Sequence, residues 1–350
     1  MTAQPSISYF LGANTADGFI SVYEDLAKYE TVQRIWYIKG GPGNGKSTFM
    51  RNIAAAAETA GSHTEYILCS GDPDSLDGIV IRELKTAYVD ATSPHVQEPA
   101  LPGVSGKYLD LSQFYKRTAV FDRDRIEDLF REYREQYHRS YGFFDAARTT
   151  GAAYIQAMIS ESEGEKLQEV GSETAAKLVS EGSGHVLVRR FISANTCRGF
   201  LSLPESAIEN GKVYLLQGKD GLARYWLKGA AEVCRQRRQK MILCLDPTDS
   251  RIPEGLILPE AGISFLTARK GVRYHGTRRE VSRLLGGAED ASDESKRMNC
   301  IRKELIKQAE ECLKKAKLAH DALEGCYSRS VDFRALDRFT ARHIEREIKR

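Results

Sequence analysis

Apolar residues along this chain follow two rhythms. Arg34–Lys39 (RIWYIK) and residues 66–68 (YIL) are short β-prone runs, and IVIRELKTAYVD (79–90) reads as one stretch closing in a buried strand at Asp90. Elsewhere the spacing is helical. Ile126, Leu129, Phe130, Tyr133, Tyr137, Tyr141 and Phe144 share one face, as do Ile301, Leu305, Cys312, Leu313, Ala316 and Leu323. The tyrosine stripe is expected to be a packed helix face rather than a ligand wall. FMRNIAAAAETAG is rich in helix formers and stops at Gly61, as a helix C-terminus should.

The pattern occurs twice. FLGANTADGFIS (10–21) and FISANTCRGFLS (191–202) agree at seven of twelve positions, where chance would give roughly one. RIWYIKG then matches KVYLLQG, YILCS matches MILCL, and IVIRELKTAYVD matches LILPEAGISFLT, at offsets of 178, 175 and 177 against 181 for the first pair. The expected organisation is α/β, with two tandem P-loop NTPase-type domains, 1–184 and 185–350. Each has a mainly parallel sheet flanked by helices and a helical extension. Glu181–Gly184 is the best candidate linker.

Composition changes this picture little. The 350 residues carry a net charge of +3 with 41% hydrophobic residues, an ordinary globular balance that gives no argument for nucleic acid or a membrane surface. Seven scattered cysteines without a CxxC pair fit reduced, buried thiols. No signal peptide and no run of 18 apolar residues is found, so a cytoplasmic location is expected.

The chemistry concentrates at Gly40–Thr48, GGPGNGKST, which fits G-x-x-x-x-G-K-[ST] between a strand and a helix. Glycines let the backbone approach phosphates, and loop N–H groups with the following helix N-terminus form an anion site. Gly41, Pro42, Gly43, Asn44, Gly45, Lys46, Ser47 and Thr48 are therefore the expected phosphate-binding residues. Lys46 would meet the β- and γ-phosphates and Ser47 would ligate Mg²⁺. Asp90 is the candidate second metal-orienting acid, with a turn-forming Asp as the plain alternative. Ala91 stands where many ATPases place a second acid, which weakens the case for vigorous hydrolysis. Asp72, Asp74 and Asp77 are either turn residues or meet Mg²⁺, water or a second substrate. Thr92, Ser93 and His95 follow Asp90 as γ-phosphate or acceptor contacts, though His95 reads more simply as a loop histidine.

The second copy is damaged. Ala223, Arg224 and Tyr225 stand where Gly45, Lys46 and Ser47 stand, and Thr267 replaces Asp90. Losing both metal ligands argues against catalysis there. Arg224 is expected to be a surface or salt-bridged residue, with an arginine finger as the alternative.

The segments GANTADGF (Gly12 to Phe19), GGPGNGKST, CSGDPDSLDGIVI and VDATSPHVQEP resemble a bacterial family of duplicated P-loop proteins described as ATPases or nucleotide-kinase-like. The resemblance covers essentially the whole chain. It implies tandem P-loop domains, ATP as ligand, Gly40–Thr48 as the phosphate loop and Asp90 as the Walker B acid. The expected function is a Mg²⁺-dependent ATPase or kinase-like phosphoryl transfer with an unnamed acceptor or protein partner. The alternative is a nucleotide-operated switch. A nucleic-acid motor rests only on RQRRQK (235–240) and the basic C-terminal end, so nucleic acid is not an expected partner. No NKxD-type or LSGGQ-like sequence is found, which leaves ATP as the expected base.

Overall fold

The computed structural model describes residues 7–29, 32–93, 96–99, 101–207, 211–218, 221–269, 272, 276–280 and 292–349. In the first half a six-stranded sheet has the order β1 (Ile7–Tyr9), β5 (Thr64–Leu68), β6 (Leu76–Ile81), β7 (Thr86–Asp90), β4 (Arg34–Lys39) and β8 (Gly106–Asp110). The second half repeats it in reverse listing: β16 (Thr277–Glu280), β12 (Lys212–Gln217), β15 (Ile263–Thr267), β14 (Pro253–Leu258), β13 (Met241–Leu245) and β9 (Leu187–Arg190). The architecture is α/β, with mixed sheets flanked by helices. In the first sheet three pairings are parallel and two antiparallel, and the second sheet has the same five. Each sheet is therefore mixed, with parallel pairings in the majority. The stretch 79–90 is two strands, because the chain turns at Arg82–Lys85, with Lys85 N–H on Arg82 O and a left-handed φ of 48° at Lys85. The charged residues Arg82, Glu83 and Lys85, which interrupt the apolar run, were the overlooked turn signal.

Small hairpins carry the repeat in atomic detail. β2 (Gly12–Thr15) pairs with β3 (Gly18–Ser21), and β10 (Ser193–Thr196) with β11 (Gly199–Ser202). Thr15 Oγ1 donates to Gly18 O at 2.9 Å and Thr196 Oγ1 to Gly199 O at 2.8 Å. Phe10 and Phe191, the first matched pair, exchange both backbone hydrogen bonds at 2.9 Å. A reciprocal bond between equivalent residues relates the halves by an approximate two-fold axis. Around it Tyr9, Phe10, Leu11, Val22 and Leu26 form a shared core with Phe191, Ala194 and Leu245.

The helices cross this boundary. α1 (Lys46–Thr59) and α4 (Ala223–Gln236) follow the two glycine loops, and α2 (Arg123–Gln156) and α5 (Asp293–Ser328) pack side by side, Leu323 against Ile126 and Leu129 and Phe144 against Ala309 and Leu313. These contacts run in opposite directions along the two helices. α3 (Glu161–Leu178) buries Leu167 and Ala175 with Trp226 and Phe265 of the second half. α6 (Phe333–Glu347) buries Leu336 with Trp36, Phe49 and Tyr88 of the first. Each half thus gives its last helix to the other, and core packing does not follow the sequence boundary at 184. Glu181–Gly184 is tied down as well: Gly182 and Gly184 N–H donate to Arg237 and Arg238 carbonyls. All seven cysteines are free. Among the described residues no helix is long and apolar enough to cross a membrane.

Two consequences can be measured. A Cβ at Gly171 would lie 2.1 Å from Trp226 O, whereas at Gly142 it meets nothing within 4 Å. Gly171→Val should therefore cost about 2 kcal/mol or more by prising α3 from α4. Gly142→Ala should add roughly 0.5–1 kcal/mol, both read from urea midpoints. His343 of α6 is buried among Trp36, Phe49 and Tyr88, its Nε2 2.9 Å from Tyr88 Oη. Burial pushes its pKa down to about 4. The unfolded ring titrates near 6.5, so the unfolded state binds the extra proton. The histidine's contribution is complete above pH 6.5 and is lost as pH falls towards 4. Wild type should lose about 2–3 kcal/mol more than His343→Phe over that window.

Candidate functional site

β4 ends where the chain must reverse into α1, and the six residues between do so with glycines. Gly43 and Gly45 adopt φ of 67° and 80°, which side chains with a Cβ resist. Helices α2, α3, α5 and α6 are each capped by a side chain, from Asp122, Ser160, Ser292 and Asp332. α1 has no side-chain cap. The first N–H groups of a helix have no partner within it, so this end presents donors and a positive dipole.

Side chains converge on the same end. Lys46 Nζ donates to the carbonyls of Gly40 and Gly41 at 2.8 and 3.0 Å and lies 3.5 Å from Asp90 Oδ2. That last contact exists because β7 runs parallel beside β4 with Ile38 opposite Asp90. Asp90 Oδ1 accepts from Thr92 N–H and Oγ–H. Asp90 is thus both turn-former and neighbour of Lys46, with one oxygen for each. Ser47 Oγ accepts from Leu76 N–H at 3.0 Å. β6 pairs antiparallel with β7, Gly78 opposite Val89, and Asp77 and Asp90 both line the cleft. Asn44 is buried, its Oδ1 accepting from Tyr115 Oη–H at 2.7 Å, while its Nδ2 has no partner among the described residues.

These groups line one cleft of about 1660 Å³, larger than the few hundred to 1,000 Å³ usual for one small ligand. Gly41, Pro42, Gly43, Asn44, Gly45, Lys46, Ser47, Thr48 and Asp90 all face it, together with Asp72, Asp74, Asp77, Thr92 and Ser93. His95 lies outside the described residues. Tyr133, Tyr137 and Tyr141 line it too, so the stripe read as a packed face is also a wall. Their ring centroids are 4.9 and 6.0 Å apart, and burial pushes the Tyr133 hydroxyl up to about 12. Comparison of the chain with family models, curated proteins and solved structures finds no match.

The opposite wall comes from the second half. α5 lays the Glu324 backbone over Gly43, and His320, Asp321 and Glu324 face the cleft. Lys317 of α5 lies 3.4 Å from Asp72 Oδ2, and Arg198 pairs with Asp74. Sequence reasoning missed these residues. A polar stretch in a long helix looks like a solvated face, and nothing local reports what lies across from it.

At the second loop the described residues are packed over. Ile155 of α2 sits on Gly221, Tyr225 packs against Gly164, and Arg224 Nε donates to Gly221 O at 2.8 Å. Burial lowers the Arg224 pKa, with Asp246 acting against it. Arg224 is not among the residues lining the first cleft. Because a Cβ on Gly43 would come 2.8 Å from Glu324 O in a left-handed backbone, Gly43→Ala should destabilise by about 1–3 kcal/mol. The measurement is the urea midpoint, with hydrogen exchange at 318–328 expected to quicken as α5 lifts.

Proposed function

We propose that this chain binds ATP with Mg²⁺ on the loop Gly40–Thr48, as the intact one of two tandem P-loop-type units, and cleaves or transfers the γ-phosphoryl group. The observation that carries the reading is a convergence at one end of the cleft. An uncapped helix N-terminus, the Lys46 ammonium, the Ser47 hydroxyl and the Asp90 carboxylate meet there.

The residues fit the ligand. Lys46 rests on loop carbonyls and Asp90, contacts that a phosphate oxygen replaces with stronger charge-assisted bonds. The orphaned Asn44 Nδ2 is a spare donor beside the loop. Ser47 and Asp90 supply the hard oxygen donors that Mg²⁺ prefers and would hold it. When bound, Mg²⁺ neutralises phosphate charge. Loop N–H groups and Lys46 orient the triphosphate and stabilise charge that builds on the β,γ-bridging oxygen.

A nucleotide-operated switch is the second reading. It is favoured by the α5 backbone resting on Gly43, which couples occupancy of the loop to the second half's helices. The test is calorimetric titration with ATP and GTP, with and without Mg²⁺, followed by phosphate release. One ATP-selective, Mg²⁺-dependent site per chain is expected, with Lys46→Ala weakening it at least tenfold and Arg224→Ala changing it less than twofold. Undiminished binding in Lys46→Ala would refute the assignment, and two sites per chain would refute a single nucleotide site.

A further inference from the structure

The duplication supplies an internal comparison for the cleft. Glu324 of α5 lies on Gly43 of the first loop, and Ile155 of α2 lies on Gly221 of the second. Those two helix positions are 169 residues apart, and the same step leads from Tyr133 to Arg302 and from Gly151 to His320. The contacts keep this register. The His320 ring lies 5.6 Å from the Tyr133 ring, and Gly151 lies against Arg302, where an added Cβ would meet Cδ at 3.1 Å.

The comparison is one-sided. Over the loop that keeps Lys46 and Ser47, the crossing helix carries His320, Asp321 and Glu324. Over the loop with Arg224 and Tyr225, the same positions are Gly151, Ala152 and Ile155. A merely structural histidine has no reason to track the state of the loop. A histidine that acts on what the loop holds does.

We propose that His320 is the general base of the γ-phosphoryl reaction, taking the proton from the water or hydroxyl group that attacks within the cleft. This rests on the nucleotide reading above. In the step, an oxygen lone pair of the nucleophile forms the new bond to the γ-phosphorus. The bond from that phosphorus to the β,γ-bridging oxygen breaks, ADP keeps its electron pair, and the proton passes to the imidazole. Glu324 Oε1 is 3.9 Å from His320 Nδ1. A carboxylate on that side favours the proton on Nδ1 and leaves Nε2 the basic nitrogen.

The charged and titratable groups around the ring are Lys317, Asp321 and Glu324 on α5, Tyr133 on α2, Lys46 on α1 and, through Lys317, Asp72 after β5. Burial lowers the His320 pKa below its ordinary value, with Glu324 and Asp321 opposing and Lys317 and Lys46 reinforcing. The ring is neutral and ready to accept a proton at pH 7. Activity falls only as pH drops through that depressed value.

The test compares full-length wild type, His320→Ala and His320→Gln. Affinity for a non-hydrolysable ATP analogue is measured first, then single-turnover cleavage of γ-labelled ATP with protein in excess, between about pH 5 and 8.5. Expected are analogue affinities within threefold of wild type, cleavage slowed about 100-fold at pH 7.5, and loss of the wild-type acid limb in both variants. Cleavage within threefold of wild type with the acid limb intact overturns the proposal. So does a wild type that binds the analogue yet cleaves ATP no faster than solvent, and so do variants whose cleavage falls only in step with analogue affinity. Failure of wild type to bind the analogue at all overturns the nucleotide reading itself.

Discussion

An amphipathic helix must bury its apolar stripe, and here the last helix of each half does so on the other half's sheet. α6 buries Leu336 with Phe49 and Tyr88, and α3 sets Gly171 against the Trp226 carbonyl of α4. The core of neither half closes without the other. The reciprocal bridge of Phe10 and Phe191 and the long α2–α5 contact follow from the same approximate two-fold axis. The cleft follows too. To deliver α6 to the first sheet, α5 must end beside the first glycine loop, and it therefore crosses Gly43.

Two similar skeletons carry different side chains. At the second loop, Ile155 and Tyr225 fill the space over Gly221 and against Gly164 with apolar and aromatic volume. This stabilises the halves against each other. At the first loop, the corresponding space is left open and lined with Lys46, Asp90, His320 and tyrosines. Polar groups facing an open cleft give up packing, and Asn44 Nδ2 goes without a hydrogen bond among the described residues. Such a local departure from good packing marks a site kept for something other than stability.

Much of the first half of this site was legible along the chain. GGPGNGKST lies between a strand and a helix, and its residues are close in space because they are close in sequence. Asp90 was legible as the end of a buried strand, but only the pairing of β7 beside β4, with Ile38 opposite Asp90, brings it to the loop. The REL turn was missed because a buried hairpin and one long strand share the same apolar content. That miss hid the antiparallel pairing of β6 with β7.

The sequence by itself determined the α/β pattern, the internal repeat, the glycine loop and the different residues at the matching positions of the second copy, since each rests on local periodicity or on residues matched in order. Only the tertiary structure decided which helix covers which sheet, that the tyrosine stripe is a cleft wall, and that His320 and Glu324 stand over a loop more than 270 residues earlier. The reason is physical. A helix's apolar face says that it must be buried but not against what, and a polar residue on a long helix has the same spacing whether it faces water or a neighbour's glycine loop.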